Sequence, residues 1–208
     1  MEVKKGTTTI GIKGKDFVVL AADRQATMGS IVADPRAKKI LKISDKMAIT
    51  TAGLVGDAQR IARFLRAKVK RMEIEEGKHP SPRKVVSLLS AVLNANRTYP
   101  YWVEFIVGAY DKEPFLVSMD AVGSVSEVKD FTATGSGSPV ALGVLESKYK
   151  EDMKKDEAIK LAVSAIEAAR RIDIYTGGKE PGIDVVVIDK DGVKFLSDEE
   201  VEKIKKAL

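Results

Sequence analysis

Apolar positions along the chain follow two spacings, and the places where one gives way to the other mark out its elements. Over 7–12 they alternate with polar or small residues, and over 17–22 the run Phe-Val-Val-Leu-Ala-Ala is unbroken. Alternation marks a strand buried on one face, whereas a short unbroken run fits a strand covered on both. Gly14-Lys15-Asp16 supplies a tight turn between them. A polar, turn-rich passage follows to Arg36, and strands resume over 40–43 and 47–52, the second stopping at Gly53. There the period becomes helical. Ala58, Ile61, Ala62, Leu65, Val69 and Met72 share one face of a first helix. Ser81-Pro82 is an N-cap with proline in the first turn, opening a second helix that buries Val85, Val86, Leu88, Leu89, Val92 and Leu93.

Strands return over 103–109, 115–119 and 131–134. Gly135-Ser136-Gly137-Ser138-Pro139 opens a short helix to Tyr149, and the next helix carries Ile159, Ala162, Val163, Ile166 and Ala169 on one face. Two closing strands, 183–188 and 193–196, flank the hairpin pair Asp191-Gly192. Ser197 and Glu200 have the spacing of a capping box for a last helix with Val201, Ile204 and Leu208. No repeat or linker interrupts this order, so one domain is expected. Two sheets stacked face to face, with the helices outside, bury every apolar face named above. The expected fold is therefore α+β, a four-layer αββα sandwich.

Composition narrows the function classes. A chain of 208 residues, 44% hydrophobic and 31% charged, folds around a sizeable core rather than remaining disordered. The net charge of +5 comes from 35 basic and 30 acidic residues mixed along the chain, which argues against a nucleic-acid partner. No apolar run approaches the ~18 residues of a membrane span, and the first residues lack the apolar stretch of a signal peptide. No membrane association and a cytoplasmic location are expected. With no cysteine, disulfides, a zinc–thiolate site and a cysteine nucleophile are excluded.

The remaining chemistry is unusual for a hydrolase. The single histidine, His79, sits in the loop Gly77-Lys78-His79-Pro80 and reads as a surface residue, so Ser-His-Asp arrangements find no support. No HExxH or dense ligand cluster points to a metal, and no cofactor is expected. The Gly135-Ser136-Gly137 loop lacks the spacing of a phosphate-binding P-loop. Arg63, Arg66, Lys68, Lys70 and Arg71 form a basic helix face, but Glu73, Glu75 and Glu76 adjoin it, as on a solvated or subunit-facing surface. That leaves Gly6-Thr7-Thr8-Thr9, where a short charged leader meets three threonines. Read alone, it is an ordinary strand start. If the chain is cut after Gly6, Thr7 gains a free α-amine beside its hydroxyl, and an N-terminal amine of reference pKa roughly 7.7–8.0 can activate a threonine nucleophile.

Six motifs occur in order: Gly6-Thr7-Thr8-Thr9, Ala21-Ala22-Asp23-Arg24-Gln25-Ala26-Thr27, Lys38-Lys39-Ile40, Ala52-Gly53-Leu54-Val55-Gly56-Asp57, Thr134-Gly135-Ser136-Gly137-Ser138 and Arg171-Ile172-Asp173. In this order and spacing the chain resembles the β subunits of archaeal-type 20S proteasomes, Ntn-hydrolases of the αββα fold, from Thr7 to about Ile188. The resemblance implies a leader, residues 1–6, cut by the chain itself at Gly6-Thr7, and a catalytic domain over 7–208. It implies Thr7 as nucleophile, Lys39 beside its hydroxyl, Asp23 holding Lys39, and the Gly53 N–H as oxyanion donor. Ser136 and Asp173 complete the polar network around the Thr7 amine. Thr176 stands where the family often has serine; the hydroxyl is kept and a methyl added. Ala26, Ala37, Thr51 and Val55 would line the pocket for the residue before the cut, with Thr51 smaller and more polar than expected there.

The same resemblance implies an endopeptidase acting on unfolded polypeptide, in rings of seven β subunits stacked in pairs, with proteasome α-subunit rings and an ATPase regulator reached through them. Two alternatives stay open: a noncatalytic scaffold subunit that keeps its leader, and a basic nucleic-acid-binding module.

Overall fold

In the computed structural model, which describes residues 6–208, the chain opens with β1 (Thr9–Lys13), β2 (Phe17–Asp23), β3 (Ala26–Met28), β4 (Ile31–Asp34), β5 (Ile40–Ser44) and β6 (Met47–Gly53). Two helices follow, α1 (Val55–Glu76) and α2 (Pro82–Ala95), then β7 (Val103–Tyr110), β8 (Pro114–Met119), β9 (Val125–Glu127) and β10 (Phe131–Thr134). The chain closes with α3 (Ser138–Lys148), α4 (Lys155–Ile172), β11 (Ile183–Asp189), β12 (Gly192–Phe195) and α5 (Asp198–Lys206). The leader expected over 1–6 lies outside the described residues except for Gly6.

The strands form two five-stranded antiparallel sheets, ordered β10-β1-β2-β11-β12 and β5-β6-β7-β8-β9, with β3-β4 as a separate hairpin. Strand β2 shows how the unbroken apolar run works. Val18, Leu20 and Ala22 enter the layer between the sheets with Ala48, Ile106 and Val186. Phe17, Val19 and Ala21 face the other way, against Leu145 of α3, Ile166 of α4 and Val201 of α5. A third core packs α1 and α2 on the β5–β9 sheet, through Leu65, Leu89, Leu93 and Phe105. The four layers are thus α1/α2, sheet, sheet, α3/α4, as the apolar spacing implied.

Local signals act where they were read. Ser81 caps α2 by accepting from the Lys84 N–H, and Ser197 and Glu200 form the reciprocal box that starts α5. Leu88, Val92 and Met72 are half-buried rather than buried. The first strand begins at Thr9, two residues later than the alternation implied, although the Thr8 carbonyl still accepts from the Asp23 N–H of β2 at 3.1 Å. The passage before Arg36 is not a plain loop: it holds β3 and β4, whose residues are mostly exposed. Strand β9 is also exposed throughout. Such short strands bury no face, so no alternation announces them.

Two polar ties cross the layers. Thr50 of β6 donates to Thr9 Oγ1 at 3.0 Å, and Thr9 pairs with Thr134 at 2.7 Å, which fastens one sheet to the other inside the core. The Arg24 guanidinium forks onto Asp184 of β11 at 2.9 and 2.7 Å and reaches Asp198 at 2.6 Å, fixing the start of α5.

Candidate active site

Thr7 and Thr8 lie at the entrance to β1, Asp23 at the end of β2, Lys39 just before β5, and Gly53 at the end of β6. All converge at one end of the sandwich. Asp23 is fully buried and accepts from four N–H donors: Thr8 N (2.9 Å) and Lys39 Nζ (2.8 Å) on Oδ1, and Gln25 N and Gly177 N (both 3.0 Å) on Oδ2. Lys39 is 6% exposed. Burial pushes its pKa below the ordinary lysine value, outweighing the attraction of Asp23, which raises it.

The Thr7 hydroxyl donates to the Gly6 carbonyl oxygen, and Lys39 Nζ donates to that same oxygen at 3.3 Å. On the other side, the Thr7 N–H donates to Ser136 Oγ at 3.2 Å, and Ser136 Oγ donates to Asp173 Oδ2 at 2.6 Å. Thr176 Oγ1 donates to the same carboxylate oxygen. Ser136 comes from the loop opening α3 and Asp173 caps the C-terminal end of α4, so the α3–α4 layer delivers this half. The six residues expected to act together therefore form one connected network around Thr7.

Gly53 sits at φ +119°, and a Cβ there would lie 1.9 Å from the Trp102 carbonyl oxygen; only glycine fits. It lines a cleft of about 320 Å³ together with Gly6, Thr7 and Lys39. The same cleft is walled by Ala26, Ala37, Thr51 and Val55, the four expected pocket residues, and also by Leu41 and Ala58. The Thr51 hydroxyl is turned to the Lys39 carbonyl at 3.5 Å, so part of its polarity is spent on backbone. Ala26 and Thr27 both reach the cleft at a register shift in the β3–β4 hairpin, a bulge of the kind that re-aims side chains beside sites.

Other candidates fall away from this centre. His79 is half-buried, not a free surface residue; it links Pro80 O and Ser44 Oγ at 2.8 and 2.7 Å and so holds the α1–α2 loop to β5. On the basic face of α1, Arg71 pairs with Glu75 at 2.6 Å and Arg66 donates to the Lys42 carbonyl at 2.7 Å. Among the described residues no three His, Cys, Asp or Glu side chains converge as a metal site requires, and no helix is long and apolar enough to cross a membrane. Contributors that escaped the sequence reading include the Gln25 N–H, the Gly177 N–H and the Thr8 hydroxyl. Two of them are backbone groups, which residue type does not reveal; the third had a trace in the triple threonine.

The family model for "Proteasome subunit" matches residues 3–188. The chain belongs to the proteasome subunit family. It is 49% identical over 206 residues to the proteasome subunit beta of Methanocaldococcus fervens, covering 98% of this chain and 91% of that one. To the proteasome subunit beta of Archaeoglobus profundus it is 48% identical over 208 residues, covering 100% and 95%. To that of Methanocaldococcus vulcanius the figure is 47% over 206 residues, covering 98% and 91%. Within the family it is of the archaeal β type, and such subunits are generally threonine proteases.

Proposed function

We propose that this proteasome subunit is a catalytic, N-terminal-threonine endopeptidase of the core particle, activated when it removes residues 1–6 itself. The observation that carries the reading is the Gly6 carbonyl oxygen, approached by both the Thr7 hydroxyl and Lys39 Nζ. Attack of Thr7 Oγ on the Gly6 carbonyl carbon forms an ester as the Gly6–Thr7 amide C–N bond breaks, and the nitrogen leaves with a proton as the Thr7 amine. Water then hydrolyses the ester and releases the leader. Until then Thr7 N is an amide, not a base, so the chain is a zymogen.

The freed amine serves as proton acceptor, through water, when Thr7 Oγ attacks a substrate carbonyl. The Gly53 N–H stabilises the oxyanion. Collapse expels the leaving amine with that proton, and water hydrolyses the acyl-enzyme. Lys39, held by Asp23, lowers the cost of forming the alkoxide. Ser136, Asp173 and Thr176 orient the Thr7 nitrogen. Ala26, Ala37, Thr51 and Val55 receive the side chain before the cut, with Leu41 and Ala58 favouring apolar ones. Seven copies in a ring, two rings stacked, and α-subunit rings with an ATPase regulator would confine the site to unfolded polypeptide in the cytoplasm.

The test is co-assembly with an α subunit, followed by intact mass and peptide hydrolysis. Mature chains beginning at Thr7 are expected. Thr7→Ala should retain Met1 and lose activity on the order of a million-fold, as when a nucleophile is removed. Active particles that retain the leader would overturn the reading, and inactive ones would favour the scaffold role.

A further inference from the structure

Thr8 is fully buried and touches both halves of the network. Its backbone N–H donates to Asp23 Oδ1, and its hydroxyl lies 2.6 Å from Thr176 Oγ1. The direction of that second bond is fixed. Thr176 Oγ1 has one proton and gives it to Asp173 Oδ2, so Thr8 is the donor. Ser136 likewise gives its one proton to Asp173 Oδ2, which leaves its lone pairs to accept from Thr7 N. The order of donation is therefore Thr8 to Thr176 to Asp173, with Ser136 on the same carboxylate oxygen and Thr7 N on Ser136.

Shape alone does not call for a hydroxyl here. Valine has nearly the volume and branching of threonine. The surroundings, however, leave room for the hydroxyl pair: a Cβ on Gly137 would lie 2.1 Å from Thr8 Oγ1 and 2.9 Å from Thr176 Oγ1. Residue 137 opens α3 immediately after Ser136, so the space kept for the pair adjoins the residue that meets Thr7 N.

We infer that Thr8 is a positioning residue for catalysis, its hydroxyl holding Thr176 and Asp173 so that Ser136 stays aligned on the Thr7 nitrogen. This rests on Thr7 being the nucleophile. Thr8 touches no reacting atom. Its N–H bond to Asp23 survives any substitution but proline, so changing the side chain separates its hydroxyl from the support of Lys39.

Thr8→Val, Thr8→Ser, Thr176→Val and the double variant Thr8→Val/Thr176→Val are to be assembled with the α subunit and compared with wild type. Native mass reads assembly, intact mass reads the N-terminus, and steady-state peptide hydrolysis is read per processed site. The expected result for Thr8→Val is a fall of about tenfold in kcat with KM unchanged, the effect of misaligning the Thr7 nitrogen through one lost supporting hydrogen bond. Thr8→Ser restores kcat, and Thr8→Val adds no loss once Thr176 is valine. Wild-type kcat in Thr8→Val, or equal losses in both Thr176 backgrounds, overturns the inference while leaving the threonine-protease reading intact. A Thr8→Val chain that does not assemble assigns the hydroxyl to folding and overturns it as well. Wild-type particles that keep the leader and cleave nothing sink the underlying reading instead.

Discussion

Asp23 has no solvent contact, and its four N–H donors saturate both oxygens. An amide in its place turns an NH₂ towards N–H donors and removes the counter-charge of Lys39. Stripping a buried charge of its partner costs about 3–5 kcal/mol. Asp23→Asn is therefore expected to lower the unfolding free energy by about 3 kcal/mol in urea titrations and to stop leader removal. Adding Lys39→Met should recover much of the stability but none of the processing. The pH dependence has a definite sign. Burial holds the folded pKa of Lys39 below its ordinary 10.5, so between those values the unfolded chain binds more protons at this site. Unfolding free energy contributed here rises with pH up to about 10.5. The wild-type curve minus that of Lys39→Met should climb over that window; a flat or falling difference would contradict the assignment. At this scale Asp23 and Lys39 were legible through the motifs that carry the family resemblance, since a single charge at a strand end reads by itself as a cap or a surface residue. Thr8 was not, since its partner Thr176 is 168 positions away and a threonine in a strand needs no special explanation.

Long elements were legible because each buries at least one face. The face of α1 carrying Ala58, Ile61, Ala62, Leu65 and Val69 was complete in the sequence. The hairpin β3–β4 was not, since Met28, Ile31 and Val32 are all exposed and obey no period. That hairpin brings Ala26 and Thr27 to the cleft, so what was least readable in the fold belongs to the site. Another element-level contact yields a test. Tyr149 ends α3 with its ring 5.1 Å from that of Phe131 on β10, and its hydroxyl bridges the Lys13 carbonyl and Asp130 at 3.3 and 3.4 Å. Burial first, and then the charge of Asp130, push the phenol up to about 12 from 10.0. The folded chain keeps this proton where the unfolded chain has lost it, so the stability is present below pH 10.0 and declines towards about 12. Tyr149→Phe keeps the ring and should cost about 1 kcal/mol below that window. The difference from wild type should shrink across it, as read by urea titration alongside tyrosinate absorbance.

At the scale of the molecule, the site is a seam. Thr7 leads into β1 and Asp23 ends β2 in one sheet, whereas Lys39 leads into β5 and Thr51 and Gly53 lie on β6 in the other. The distance from Lys39 to Asp23 is thus set by how the two sheets pack, through Val18, Leu20, Ile106 and the Thr50–Thr9 bond. The αββα order followed from apolar spacing, but the seam did not, because spacing says which face is buried and not which strand ends meet. Leu20 is fully buried in that layer, three positions before Asp23 on β2; Leu89 is as well buried, but between α2 and the far face of the other sheet. Leu→Ala at either position should cost about 3 kcal/mol, since both leave a cavity. Their effects on catalysis should differ. A shift on the order of 1 Å between catalytic groups can cost about a hundredfold in rate, and only the inter-sheet cavity lets one sheet settle against the other beneath Asp23 and Lys39. Leu20→Ala should therefore lower kcat per processed site, while Leu89→Ala leaves it near wild type at a temperature where both remain assembled. Equal kcat in the two variants would mean that the strand ends are held by their own hydrogen bonds, and that the inter-sheet layer supplies stability without alignment.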